Sequence, residues 1–599
     1  MAPARIVPVL LVAGLLLAGC SGKTHEPAGT PSTPTVPATL DAPGATVTAV
    51  DGGVDLSWAG DLPTAVAAVS GPVNTASATA TLPLRMPPEA TLIDARLQAS
   101  GNQADVTFRM APDADGISRC GGVAPEDHVT TCFATRYAPH PDPEAWSIRL
   151  QAGTSDGSPV HYELKVHLGM APLPILGPPP SVGTDAPAFA APVRLSTKDT
   201  HTAEPSIAVT PGGTVYVSAP VSAQRALWRS TDGGATFAEV QVHGQATDPF
   251  SQYPQGGGDS DVAVSGESTV YFADQHVAET VSASHDGGRT WFTQPLGSGF
   301  LPLTDRQWLV TDGDLTAWLA FNGPNGATVA KTVDGGRTWP LSASMREDSC
   351  FRGNLARAPD GTLYFAGCNG DGPGVGVSTD GGLTWTWHLV AQRSGQTNTS
   401  FIFVAHLFVV ATTDAAGNAY VVWSDEAQQS AARGAPDGPH GLNVWMSSST
   451  DRGATWSAPK RVNHSPGTYV LPWATGGAAG HVAVSYYGTR FAGHPERVLG
   501  EWYPMLAVTA DALSDQPSFS EAPASTQLAQ YGPVCMRGSA CGNARNLLDF
   551  FQIQADSGGL VHMAYVDGAA GGNYRLSDIM YVHQTGGAGL GGRSVDKQG

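Results

Sequence analysis

The chain has 599 residues, with 52 acidic side chains against 32 basic ones and a formal net charge of −20. That acidity argues against nucleic acid as a partner and against charge-driven docking on an anionic membrane. With 72 Gly and 46 Pro and no long amphipathic helical pattern, the composition suits a turn-rich, all-β protein.

The chain begins with Arg5, an apolar run from Ile6 to Leu17, and the small residues Ala18-Gly19 before Cys20-Ser21. The run is too short to span a bilayer as a helix. This pattern resembles a bacterial-type lipoprotein signal over residues 1–20. The resemblance implies cleavage before Cys20, lipid on its thiol, and an extracytoplasmic protein held at the cell membrane by that lipid only. An ordinary cleaved signal with an incidental cysteine is the alternative. Residues 21–44, rich in Pro, Thr, Ala and Gly, read as a flexible tether.

Residues 45–170 read as a β-sandwich-like accessory domain. Val160 to Leu168 alternates strictly between apolar and polar residues, and shorter strands are expected at Val54–Trp58, Thr91–Gln98 and Asp105–Phe108. A spacer or packing role is favoured over glycan binding. A Pro-rich linker at 171–187, including Pro178-Pro179-Pro180, separates this domain from the C-terminal two thirds of the chain.

Residues 188–585 carry five copies of Ser/Thr-x-Asp-x-Gly-x-Thr-Trp/Phe, centred on Asp232, Asp286, Asp334, Asp380 and Asp451. A spacing of about 50 residues marks a repeat fold. In each copy the carboxylate can accept from nearby backbone N–H groups, Gly supplies φ > 0, and the closing aromatic covers the turn. The device recurs too often to be one chemical site, so these aspartates are expected to be structural and not calcium ligands or catalytic acids. The pattern resembles the Asp-box, or BNR, repeat of sialidases and related β-propellers. That resemblance implies sheets fanned about an axis with the boxes at the periphery.

Seven Gly-centred hairpins, from Pro211-Gly212-Gly213 to Gly558-Gly559-Leu560, predict a seven-bladed β-propeller, with six blades as the alternative. Asp511-Ala512-Leu513 looks like a degenerate sixth box. The last unit lacks a fourth strand after Ile579–Val582, and Ala191–Leu195 upstream is expected to supply it and close the ring. Residues 586–599 read as a disordered tail.

Besides Cys20, the cysteines fall into close pairs: Cys120 and Cys132, Cys350 and Cys368, Cys535 and Cys541. An even count in an exported chain suggests three local disulfides, although other connectivities remain open. No zinc-ligand spacing is present.

Polar residues at the starts of the innermost strands should line the mouth of the central channel. They are Glu204, Asp259, Asp261, Asp305, Arg306, Gln307, Arg352, Asn354, Trp473, Arg545, Asn546 and Asp549. The sialidase resemblance implies a three-arginine clamp on a substrate carboxylate, with a tyrosine nucleophile and an aspartate acid/base. By position, Arg306, Arg352 and Arg545 are candidates for the clamp, and Asp305 or Asp549 for the acid. The family's Arg-Ile-Pro motif is absent, however, and Ala203-Glu204-Pro205-Ser206-Ile207 stands in its place. Nothing singles out Tyr469, Tyr503 or Tyr531 as a nucleophile. No cofactor is required by any motif, and Ca²⁺ could be held by Glu204, Asp259, Asp261 and Asp305. The resulting expectation is a monomeric surface propeller that binds a glycan or glycoprotein. An exo-α-sialidase-type glycoside hydrolase and an extracytoplasmic assembly scaffold are the alternatives.

Overall fold

The computed structural model describes residues 34–594 except 63, 66–75, 101–102, 115–119, 125–128, 136–141, 155–159, 198–199, 222–223, 243–258, 276–278, 297–304, 324–325, 346–352, 370–371, 393–408, 427–440, 536–544 and 570–575. Cys20, Arg352, Cys350 and Cys541 therefore lie outside the described residues. So do the signal segment, most of the tether and residues 595–599. Among the described residues the chain is nearly all β, and its one named helical element is a single 3-10 turn at Pro495–Arg497.

The N-terminal unit contains two antiparallel five-stranded sheets. One runs in the order Thr46–Val50, Gly53–Leu62, Val160–Gly169, Leu92–Ser100, Val129–Thr135. The other runs Thr64–Ala65, Ala76–Met86, Glu144–Thr154, Gln103–Pro112, Cys120–Ala124. Alternation in Val160–Gly169 points Val160, Leu164, Val166 and Leu168 into one shared core with Trp58, Phe108, Trp146 and Ile148. A Cys120–Cys132 disulfide joins the two sheets. Cys368 and Cys535 are also disulfide-bonded, to partners outside the described residues.

Among the described residues, seven antiparallel sheets come after this unit, each built from consecutive strands. Their first strands are Ser206–Val209, Ser260–Ser265, Asp305–Asp312, Leu355–Arg357, Val410–Thr413, Thr468–Gly476 and Gln552–Ala555. Each first strand contacts the next, and that of the seventh sheet contacts that of the first, so the sheets form a closed ring. Apart from the two ends of Asp305–Asp312 these strands are buried, and they carry apolar runs such as Val262-Ala263-Val264 because both faces are covered. The seventh sheet has three strands of its own, ending with Asp578–Gly586. Ala188–Phe189 and Val193–Arg194 pair antiparallel with that last strand, so the segment ahead of the first sheet completes the seventh. Asp578 fastens the join, its Oδ1 accepting from Ser196 Oγ at 2.9 Å and pairing with Arg194 at 2.8 Å and His201 at 3.0 Å.

The five repeated turns share one geometry. Asp232 accepts from Ser230 Oγ at 2.7 Å, Thr236 N at 2.9 Å and Thr236 Oγ1 at 2.6 Å, while Ser230 Oγ accepts from Gly234 N at 2.8 Å. Asp286, Asp334, Asp380 and Asp451 repeat the pattern. Trp291, Trp339 and Trp385 each donate Nε1 back to the second glycine of their own turn, and Trp456 to Gly453, the one glycine of its turn. In the sixth sheet Asp511 does the same work over a longer turn, accepting from Thr509 Oγ1 and Ser518 N.

Two segments depart from the expected organisation. The stretch after Gly586 is not a free tail as far as Ser594. Leu590 is fully buried, and Ser594 Oγ accepts from Ala555 N at 2.6 Å. The glycines there, which read as disorder, permit close approach; a Cβ at Gly559 would strike the Gly591 and Gly592 backbone. Structure also begins before residue 45, since Asp41 bridges to Arg85 and Ala42 joins the N-terminal core.

Candidate functional site at the channel mouth

The mouth is built where the first strands of the first, second, third and seventh sheets begin. Glu204, Arg306 and Leu548 adopt φ of 57°, 59° and 52°, the left-handed region that non-glycine residues seldom occupy. The ladder of the third sheet slips between Asp305 and Trp308, which takes Arg306 and Gln307 out of the regular ladder and aims them inward. Such local irregularity clusters where side chains are re-aimed for function.

Asp549 is the hub of the cluster. Its Oδ2 accepts from Arg306 Nη2 at 2.5 Å and from Arg545 Nη2 at 3.0 Å, and its backbone N donates to Glu204 Oε1 at 3.1 Å. Arg306 N donates to Asp259 Oδ2 at 3.0 Å, and Arg306 Nε lies 4.0 Å from Asp305 Oδ2. Burial opposes ionisation of Asp549, but Arg545 and Arg306 outweigh it and hold the carboxyl below its usual range. Burial, reinforced by Asp259 and Asp549, pushes Glu204 well above the carboxylate range. Desolvation and the neighbouring Asp259 likewise push Asp305 up to about 7, although 44% of its side chain remains exposed. The mouth thus combines a tightly paired anion, a buried proton-holding acid, and an outward carboxyl that titrates near neutrality.

The structure brings together Glu204, Asp259, Asp305, Arg306, Arg545 and Asp549, and engages Asp261, Asn354, Gln307 and Trp473 in other contacts, while Arg352 lies outside the described residues. Asp261 is fully buried. It accepts from Leu309 N at 2.7 Å, from Gln552 Nε2 at 3.2 Å and from Ser206 Oγ, which ties four sheets together. Asn354 exchanges two hydrogen bonds with the backbone of Ala411 in the neighbouring sheet. Gln307 donates to the buried Glu279 at 2.6 Å. Trp473 is 2% exposed and packs with Trp308 and Phe550 at ring-centroid separations of 5.3 and 5.8 Å, forming an apolar plug. It cannot offer a stacking face to a ligand. Sequence order gave the end of the strand for these residues but not the depth of the side chain. Glu279, on a third strand, and Phe550 carry no local mark that would have singled them out.

The three tyrosines are engaged in other contacts. Tyr469 Oη donates to Ser465 O at 3.0 Å, Tyr531 Oη donates to Pro174 O at 2.8 Å, and Tyr503 is buried in the core. Among the described residues no group of three or more His, Cys, Asp or Glu is placed to hold a metal ion.

No family model and no curated protein matches this chain. Solved structures similar to it include YCF48 from Cyanidioschyzon merolae, at 13% identity and a TM-score of 0.36, covering 66% of this chain and 98% of that one. Penicillium chrysogenum alpha-L-arabinanase complexed with arabinobiose is 12% identical with a TM-score of 0.34, covering 67% and 98%. The intramolecular trans-sialidase from Ruminococcus gnavus in complex with oseltamivir carboxylate is 12% identical with a TM-score of 0.33, covering 65% and 95%. At such identities and TM-scores these likenesses carry no inference about what this chain binds or does.

Proposed function

We propose that the chain is a lipid-anchored, extracytoplasmic, seven-bladed β-propeller behind a small β-sandwich, and that its mouth recognises a neutral, hydroxyl-rich glycan or glycoprotein. The observation that carries this reading is the sharing of Asp549 by Arg306 and Arg545 while the Asp305 carboxyl stays half-exposed beside them. Two guanidiniums committed to an internal carboxylate are poorly disposed to clamp a ligand's carboxylate, because the ligand would have to displace a buried ion pair. An outward carboxyl beside cationic donors, by contrast, can accept from adjacent sugar hydroxyls. The Cys120–Cys132 disulfide supports an exported protein. The anchor proposal rests on Cys20, and Cys20→Ser should move the protein from the membrane to the soluble fraction.

The test is binding of the purified ectodomain to an array of neutral and sialylated oligosaccharides, followed by calorimetry on the hits. Neutral glycans should bind, with at least a tenfold loss on Asp305→Ala. Binding confined to sialosides, or turnover of a fluorogenic sialoside that disappears in Arg306→Ala, would overturn the reading in favour of sialidase chemistry.

A further inference from the structure

The Pro-rich segment between the two units is fastened to the ring almost throughout its length. Glu501, 2% exposed at the start of the third strand of the sixth sheet, accepts from Leu176 N at 2.9 Å and Gly177 N at 3.1 Å through the same Oε1. Gly177 has φ of +72°, which lets two successive N–H groups converge on one oxygen. Arg490 Nη1 donates to Leu176 O at 2.6 Å, and Tyr531 Oη donates to Pro174 O. Further along, Val182 and Glu521 exchange backbone hydrogen bonds at 2.8 and 2.9 Å, and Ala588 N donates to Asp185 O at 2.9 Å. A Cβ at Gly183 would strike Ser520, so the approach is close.

The Glu501 end of this fastening lies at the mouth side of the ring. Strands within a sheet alternate in direction, so the third strand begins at the same end as the first, and Glu501 begins the third strand of its sheet. Gln530–Tyr531 pairs there with Glu501–Trp502, and Asn546, next to Arg545, donates to Gly568 O at 3.0 Å and to Gln530 Oε1. The N-terminal unit reaches the same place. Thr135 Oγ1 donates to Tyr531 O at 3.0 Å, and a Cβ at Gly532 would collide with the Thr135 side chain.

We infer that residues 174–185 are a strap and not a hinge, and that Glu501 is the positioning residue holding the N-terminal unit as a fixed wall beside the mouth. The wall's relevance to recognition rests on the glycan reading above, but the strap is testable without any ligand. Leu176 is 44% exposed and Ile175 60% exposed, so the Leu176–Gly177 bond is reachable by chymotrypsin yet pinned on both sides. Cleavage of such a bond requires local release, and its rate follows the released population. The intact ectodomain should resist cutting there. Glu501→Ala should be cut at least tenfold faster and should show a larger maximum dimension in solution scattering, while Glu501→Gln, which keeps an acceptor oxygen, should behave as wild type. Because Glu501 is buried, the double variant Arg490→Ala/Tyr531→Phe provides a second route that removes two strap bonds and leaves the carboxylate in place; it too should be cut faster. Unchanged cleavage in both variants, or equal acceleration by Glu501→Gln and Glu501→Ala, would overturn the inference. Loss of neutral-glycan binding with the strap still protected would instead count against the functional reading alone.

Discussion

Tyr581, on the last strand of the seventh sheet, covers Gly234 of the first repeated turn so closely that a Cβ at Gly234 would collide with its hydroxyl. The same ring meets Phe237 edge-on at 4.8 Å and donates to Gly233 O at 3.4 Å. Tyr216, Tyr271, Trp318 and Tyr364 approach Gly288, Gly336, Gly382 and Gly453 of the following turns in the same manner, so the contact between last and first sheets copies the contacts between consecutive ones.

Gly234→Ala is therefore expected to destabilise the ring by about 2 kcal/mol or more, from the steric conflict added to a φ of +92°. Gly233→Ala, with φ of +71° and open space around its Cβ, should cost only about 1 kcal/mol. Denaturant melts of the two variants read the difference directly, and equal losses would count against a close seam.

Acid should loosen the periphery. Hydrogen bonds from Thr236, Thr384 and Thr455 hold Asp232, Asp380 and Asp451 at about 2. Because these folded values lie below the unfolded one, their stabilisation is complete above about pH 4 and is lost as the pH falls towards 2. Asp286→Ala should remove about 1 kcal/mol at neutral pH, since water can replace part of what that half-buried carboxylate accepts. It should also flatten the acid limb of a stability-against-pH curve. An unaltered limb would argue against the turn's role.

Asp305 has the opposite sign. Its folded value is raised to about 7, so the folded state binds its proton more tightly, and stability declines as the pH rises from about 4 through 7. Asp305→Asn should gain stability relative to wild type at pH 8 and little at pH 5, as read by melting temperature. If the mouth binds a glycan as proposed, its affinity should also change across neutrality in wild type and become flat in the variant.

Asp261→Ala should cost about 3 kcal/mol, because it leaves Leu309 N, Gln552 and Ser206 without their shared acceptor in a dry interior. Affinity at the mouth should remain within twofold when measured well below the melting temperature. A large affinity loss in a well-folded variant would return Asp261 to the binding site.

These residues show where the sequence was informative. The repeated turns were legible because they are self-contained: Asp232 finds every partner within four positions, so no distant contact is needed to interpret it. The closing strand was legible because Val193–Arg194 lacks a partner near it in the chain, and the last unit lacks a strand. Asp259 and Asp261 show the limit. Asp259 stands just before the strand Ser260–Ser265 and Asp261 within it, two positions apart, yet a rise of about 6.8 Å separates a mouth residue from a buried hub. Alternation encodes the face, not the depth. The left-handed turns at Glu204, Arg306 and Leu548 were equally hidden, since no glycine announces them.

Completion of the seventh sheet by Val193–Arg194 bears on biosynthesis. The first piece of the ring to leave the ribosome is also the last to acquire its partner, which is not made until nearly four hundred residues later. Until then both rims of the nascent arc stay unzipped and able to capture a neighbouring chain, so vectorial export with prompt C-terminal delivery would spare this molecule a hazardous wait.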